Sequence, residues 1–309
     1  MSKYFPDLIG QNSVKKKLSF YLNAFDKTCQ APFLLMAGAK GLGKTEFAKA
    51  FAKNLHNQDG GKRAFLEINC STIKNNEQFF EQIFLPLIAD NEITILFDEC
   101  HALPLDLTMA FLTIFNTEAN ARKVFEWNEH SFEFNFRRQT FIFATTETDK
   151  IFAPLKDRLT TIDFEPYTCD ELAKIVKICA PDVTFVDNVE AIIASTIRGN
   201  ARSAVKRAKE IQLYCGANED YSFGLNHFND LSDQVGILPY GITNTEKQIL
   251  QALKSAIGGA TLTGLSAKLG LSKTALQRDH ELYLLNKDLI EIDGKRRITK
   301  KGVIICNKL

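Results

Sequence analysis

No run of about 18 apolar residues occurs in the 309-residue chain, so no transmembrane helix is expected. The opening stretch, MSKYFPDLIGQNSVKKKL, has no apolar core of the kind a secretory signal needs. Cys-x-x-Cys and His-Glu-x-x-His are both missing. The seven cysteines and five histidines are scattered, which excludes a zinc knuckle and a disulfide framework on spacing grounds. Reduced, buried thiols and a cytoplasmic location are the expectation. Repeats and low-complexity tracts are absent, and a 45% hydrophobic share excludes a disordered chain. A charge excess is lacking too. With 38 Lys+Arg against 37 Asp+Glu the net charge is +1, which at face value speaks against a nucleic-acid binder.

What is present begins with five short apolar runs: Phe33 to Ala37, Phe65 to Asn69, Ile93 to Phe97, Thr140 to Ala144 and Thr161 to Phe164. Helix-period segments such as Glu46 to Leu55 and Asn76 to Ala89 lie between them. Strands alternating with helices predict an α/β fold, a parallel sheet with helices on both faces. After Phe164 the strands stop. Asp170 to Cys179, Asn188 to Ile197 and Ala201 to Cys215 read as a small all-helical domain. Past a linker at 236–241, Thr243 to Glu246 fits a capping box that opens a helix. Two more helices follow, Leu262 to Leu269 and Lys273 to Asn286. Leu289 to Ile292 and Arg296 to Thr299 then flank the turn signal Asp293-Gly294. Three helices and a hairpin describe a winged helix. The expected division is 1–166, 167–238 and 239–309.

Gly38-Ala-Lys-Gly41-Leu42-Gly43-Lys44-Thr45 matches the phosphate-binding pattern GxxxxGK[ST], after a predicted strand and before a predicted helix. Its glycines let backbone N–H groups wrap phosphates, Lys44 neutralises their charge and the Thr45 hydroxyl can ligand Mg²⁺. The strand Ile95-Leu-Phe ends in Asp98-Glu99. Two carboxylates at a buried strand end are costly without cationic partners, which metal and phosphate chemistry supplies. Asp98 is placed for the Mg²⁺ shell and Glu99 for polarising the attacking water. ATP and Mg²⁺ are the expected cofactors.

On these motifs the chain resembles the AAA+ ATPases, and within them the RuvB-type Holliday-junction branch-migration motors. The likeness runs from Asp7-Leu8-Ile9-Gly10-Gln11 through the phosphate loop and Asp98-Glu-Cys-His-Ala-Leu103. It continues through Phe143-Ala-Thr-Thr146, Ala153-Pro-Leu-Lys-Asp-Arg158 and Gly199-Asn-Ala-Arg202 to His280-Glu-Leu-Tyr-Leu-Leu285. The resemblance implies that the all-helical part is a lid. Leu8 and Ile9 would sit against adenine with Tyr167 nearby, and Thr146, or the adjacent Thr145, would sense the γ-phosphate. Arg202 would touch that phosphate in cis, and Arg158 would be an arginine finger offered to a neighbouring subunit. A site completed by a neighbour implies a homo-oligomer, a hexameric ring by family habit. The chain departs from the family at Ala39-Lys40, where two prolines are usual, and at Lys156, where an arginine commonly sits.

In the family an inserted hairpin contacts a RuvA partner, and here it falls at Lys123 to Arg138. Phe125 and Trp127 alternate with polar residues on one strand, and Phe132, Phe134 and Phe136 on the other, about a turn at Asn128 to Ser131. Such a face serves either as partner anchors or as packing against the ATPase body, and alternation does not distinguish them. The near-neutral total also resolves into parts. From residue 243 onward there are twelve Lys and Arg against six Asp and Glu, a surplus of six, which leaves the preceding 242 residues five acids in excess. Lys295, Arg296 and Arg297 follow the wing turn, where a DNA backbone contact is expected; Lys273, Gln277 and Arg278 on the third helix are secondary candidates. The expected function is an ATP-dependent DNA motor acting on branched DNA with a RuvA-like partner. The rivals are an ATP-switched clamp or helicase loader, and a DNA-binding scaffold whose ATP site controls assembly.

Overall fold

All five apolar runs become parallel strands of one sheet in the structure, a computed structural model that describes residues 3–116, 121–127 and 130–309. They are β1 (Leu34–Ala37), β2 (Ala64–Asn69), β3 (Ile93–Asp98), β6 (Gln139–Thr145) and β7 (Thr160–Asp163), in the order β2-β3-β6-β1-β7. Every residue of β1 and β6 is buried, as are Ile93 to Phe97 of β3. Strands covered on both faces read as continuous apolar runs because no position faces water. The register sets Leu35 and Phe97 beside Phe143, and Asn69 beside Asp98. The carboxyl ends of β1, β3 and β6 therefore open onto one edge, where open α/β sheets bind ligands.

Phenylalanine fills much of the core of this unit. Phe97 stacks on Phe143 with ring centroids 5.1 Å apart, and Phe111 meets Phe97 edge-on at 5.3 Å. The helix Gln78–Ile88 carries Phe79, Phe80 and Phe84 into this cluster. Its turns are wide: the Ala89 N–H reaches back to the Phe84 carbonyl at 2.9 Å. Pro86 within it donates no hydrogen bond of its own.

That helix also settles the hairpin, β4 (Arg122–Trp127) with β5 (His130–Asn135), whose register pairs Phe125 with Phe132. The expected partner-binding face, Phe125, Trp127, Phe132 and Phe134, is turned inward. Phe80 stacks on Phe125 at 5.3 Å and on Trp127 at 5.7 Å, and lies 4.7 Å from Phe132. Phe84 lies 4.3 Å from Phe134, which is fully buried. The anchor assignment is corrected: alternation reported one buried face, and a helix some 45 residues upstream in sequence buries it. Arg122, Val124, Glu126 and Glu133 face out instead. Asn128 and Glu129, in the expected turn, lie outside the described residues.

The chain divides into two compact units, 1–175 with 199–206, and 176–198 with 207–309. The helices Cys169–Cys179 and Ala201–Asn218 both cross that division. In the second unit, Val189–Ser195 and Leu225–Val235 join the rest of Ala201–Asn218, with a short parallel pair β8 (Thr184–Phe185) and β9 (Ser222–Phe223). The winged helix follows. Asn244–Lys254 opens on the expected capping box: Thr243 Oγ1 accepts from the Glu246 N–H, and Glu246 Oε2 accepts from the Thr243 N–H at 2.9 Å. The same fully buried Glu246 is paired with Arg198, whose Nε donates to the Gly241 carbonyl at 2.7 Å and whose guanidinium lies 3.8 Å from the Tyr283 ring. Leu262–Leu269 and a continuous helical stretch from Lys273 to Asn286 precede β10 (Ile290–Asp293) and β11 (Lys295–Ile298). Two helices of this second unit were not expected, Leu225–Val235 and Lys300–Cys306. No helix among the described residues is long and apolar enough to cross a membrane.

Phe134→Ala should destabilise the chain by about 3–5 kcal/mol, the usual cost of emptying a buried phenylalanine site. Val124→Asp, on the exposed side of the same hairpin, should stay within about 0.5 kcal/mol of the parent. Urea unfolding of the two variants checks this. Equal stability for Phe134→Ala and the parent would mean that the inward face is not packed.

Candidate active site

All of the functional side chains but Arg202, which a helix carries, are brought to the sheet edge by the end of a strand or the segment that follows it. After β1 the chain turns through the phosphate loop into the helix Lys44–Lys53, with Gly43 in a left-handed conformation (φ 95°) at the helix start. Gly41 meets a different demand. A Cβ there would stand 2.2 Å from Asn200 Oδ1, so only glycine lets that side chain lie against the loop, where Asn200 Nδ2 donates to the Lys40 carbonyl at 3.0 Å. The Arg202 N–H also donates to the Gly41 carbonyl, at 3.2 Å. From below, the Tyr167 hydroxyl donates to the Leu42 carbonyl at 3.0 Å, and burial pushes this phenol up to about 12, so it stays a donor.

The loop bounds a cavity of about 420 Å³ lined by Lys44, Thr45, Asp98, Glu99, Thr146 and Arg202, with Lys40, Gly41 and Gly43 at its rim. Most of the predicted catalytic set is therefore brought together. Lys44 is buried, and its Nζ donates to the Gly38 and Ala39 carbonyls at 2.6 and 3.0 Å. Burial lowers its ammonium below the ordinary lysine range; Glu99 and Asp98 oppose that shift and Arg202 adds to it. Asp98 shows the converse: burial raises its carboxyl above the ordinary range, Glu99 and Glu67 add to this, and the Glu99 N–H and Lys44 oppose it.

Glu99 occupies a left-handed conformation (φ 52°) that costs a residue with a side chain roughly 1–3 kcal/mol and recurs at functional sites. Its Oε2 accepts from the Thr146 hydroxyl at 3.3 Å. Between the two threonines left open by the sequence, the geometry is clear: Thr146 lines the cavity, while Thr145 is fully buried at the end of β6. The residue that sequence reasoning missed is His101. Its Nδ1 lies 3.0 Å from Thr145 Oγ1 and 3.4 Å from Glu99 Oε2, and its Nε2 lies 3.0 Å from Glu147 Oε2. A histidine two residues after the acidic pair was the available signal.

The other predicted residues stand apart from the cavity lining. Leu8 and Ile9 are half-buried, and Leu8 offers its carbonyl to Lys15. Arg158 donates through Nη1 to the Pro154 carbonyl at 2.6 Å, and its buried Nε has no hydrogen-bond partner. Among the described residues no group of three or more His, Cys, Asp or Glu could cage a metal. A carboxylate and a hydroxyl beside a phosphate loop nevertheless fit Mg²⁺, which takes few protein oxygens and completes its shell from phosphate and water.

The wing divides the predicted basic triplet. Arg296 is buried and forks onto Glu281, with Nε–Oε1 at 2.8 Å and Nη2–Oε2 at 3.2 Å. Its assignment to DNA is corrected: a guanidinium facing inward on a two-residue alternation cannot also face solvent. Lys295 and Arg297 are exposed, but Asp293 and Glu291 stand directly across from them on β10. The hairpin tip is thus nearly neutral, and the surplus of the tail lies on the exposed Lys268, Lys273, Lys300 and Lys308 as well.

The Asp98 shift carries a sign. A carboxyl raised on folding is charged at a cost once pH exceeds both its folded and unfolded values. In EDTA, Asp98→Asn should gain about 0.5–2 kcal/mol of stability at pH 7, as relief at a functional site commonly does. The gain should fade as pH falls through the raised folded value and be gone below about pH 4, where the unfolded carboxyl protonates too. Thermal melts across that range test it, and a variant less stable at pH 7 would contradict it.

Residues 34–167 match the model of the ATPase family associated with various cellular activities (AAA). Over nearly its whole length the chain is similar to Holliday junction branch migration complex subunits RuvB. It is 27% identical to that of Campylobacter hominis, covering 95% of this chain and 86% of the relative. It is 24% identical to that of Mycoplasmopsis pulmonis, covering 99% and 97%. The solved Thermotoga maritima RuvB Holliday junction branch migration motor superposes with a TM-score of 0.74 over 96% of this chain and 94% of that one, at 23% identity. Phosphate loop, acidic pair, threonine and arginine thus converge on one sheet edge in a chain whose residues 34–167 match the AAA ATPase family and which is similar along its length to RuvB subunits of the Holliday junction branch migration complex.

Proposed function

We propose that this chain is an ATP-driven DNA motor of the RuvB kind that moves four-way junctions. The observation that carries the reading is the convergence of Lys44, Thr45, Asp98, Glu99, Thr146 and Arg202 on one cavity, in a chain similar to RuvB subunits from end to end. ATP lies with its phosphates along the loop and its adenine toward Leu8, Ile9 and Tyr167. The Thr45 hydroxyl and the Asp98 carboxylate would hold Mg²⁺, which would supply positive charge at the phosphates. Glu99 orients the attacking water and takes its proton, while the Thr146 hydroxyl fixes the carboxylate. Lys44 and Arg202 offset charge on the transferring phosphoryl group. Arg158, absent from its own cavity lining, completes the site of a neighbouring subunit, which makes the working form a ring, hexameric by family habit. Arg202 sits in the first turn of the helix Ala201–Asn218, so a change at the phosphates passes along one helix into the second unit. The division into ATPase part, helical lid and winged helix (1–166, 167–238 and 239–309) gives that helix its place in the lid. A RuvA-like partner is proposed from what the relatives are subunits of.

ATP turnover measured against protein concentration, with and without four-way-junction DNA, tests the motor. Turnover per chain should rise with both. Arg158→Ala should cost about 10³-fold or more, as loss of an arginine finger does. Mixing it with Glu99→Gln should restore part of the activity, since each supplies what the other lacks. Turnover indifferent to DNA would favour a loader or an assembly switch.

For DNA, the split wing gives a contrast. Lys295→Ala with Arg297→Ala should leave the melting temperature unchanged and reduce the salt slope of binding by about 1 for each phosphate no longer neutralised. Arg296→Ala should cost about 3–5 kcal/mol in stability, because Glu281 is left buried and unpaired. Fluorescence anisotropy and thermal melts separate the two outcomes.

A further inference from the structure

We infer that His101 is a positioning residue for hydrolysis, one that holds the turn carrying Glu99 in register with the end of β6. The inference rests on the ATPase reading of the cavity and adds a residue to it. Glu99 leaves β3 in a left-handed conformation and is partly exposed, its side chain 36% accessible. A glutamate so placed has several rotamers open to it, and a base contributes its full share only when held in one. The Thr146 hydroxyl gives one tether, at 3.3 Å. His101, on the turn Cys100–Ala102 that follows, gives a second by anchoring that turn.

The imidazole is itself fixed from two sides. Nε2 donates to Glu147, since a carboxylate accepts only; the separation is 3.0 Å. Nδ1 is then the acceptor and takes the Thr145 hydroxyl proton, at 3.0 Å, while the Thr145 oxygen accepts the Glu147 N–H at 3.0 Å. Glu147 holds Lys150 in turn, at 2.8 Å. The ring is mostly buried, with 18% of its side chain accessible. His101 therefore joins the turn carrying the base to both residues that flank Thr146. It is absent from the cavity lining and touches no group placed at the phosphates, so it acts through Glu99.

The two ring nitrogens make the inference testable by side-chain shape. Asparagine carries an amide near the Nδ1 position, where its oxygen can accept from Thr145. Glutamine carries one near the Nε2 position, toward Glu147. Steady-state ATP turnover of the full chain with junction DNA, together with binding of a fluorescent ATP analogue, should be measured for His101→Asn, His101→Gln and His101→Ala. His101→Ala should lose kcat by about 10- to 100-fold, a part of the roughly 10²- to 10⁴-fold that a positioned base contributes, with nucleotide affinity held within about twofold. His101→Asn should recover most of that loss and His101→Gln little. Turnover in all three equal to the parent overturns the inference. So does loss of nucleotide affinity in parallel with kcat in the soluble Asn and Gln variants, which marks a merely structural histidine. The parent's own turnover, the denominator of every ratio, reports separately on the ATPase reading.

Discussion

Burial of both faces of the parallel sheet is the constraint on which the rest depends. β1, β3 and β6 are buried almost throughout and mostly apolar, so they lie side by side and in register, with no solvent face to slip onto. Because they are parallel, their carboxyl ends share an edge, and the residues that follow them meet: the phosphate loop after β1, Asp98 and Glu99 at the end of β3, Thr146 after β6. The same burial sets the electrostatics. It lowers Lys44 and raises Asp98, opposite shifts with one cause, and each group is the other's partial remedy. A nucleotide phosphate and its cation are the chemistry that such a floor suits.

Elsewhere charge is used for construction. Arg296 on Glu281 ties the wing to the long helix before it, and Glu246 joins its capping box to Arg198. Neither arginine contributes a free positive charge at the surface, and the cross-strand acids Glu291 and Asp293 offset two more basic residues. The surplus of six in the tail is already net of these acids, so it lies on basic residues outside these pairs and not at the wing tip. A buried ion pair broken on one side is far costlier than a surface one, so these residues answer to the fold first.

Local pattern was enough for elements whose signal is local. The five strands lie within one or two residues of their apolar runs, and the Thr243–Glu246 capping box formed as read, because its two hydrogen bonds join residues three apart. Lys300–Cys306 escaped notice because its apolar run of four, Val303 to Cys306, is too short to show a period. His101 escaped because its meaning depends on Glu147 and Thr145, more than forty positions away.

The sequence by itself determined the α/β order, the phosphate loop, the acidic pair and the winged-helix tail, since each is written in neighbouring residues or in a period of two or near four. Only the tertiary structure decided what covers a face. It turned Phe132 and Phe134 onto Phe80 and Phe84, sent Arg296 inward to Glu281 and left Lys295 and Arg297 outside, and separated Thr146 from Thr145. Alternation states that one side is buried and the other is not. Which element does the burying depends on where the chain returns in space, and no short stretch of residues encodes that.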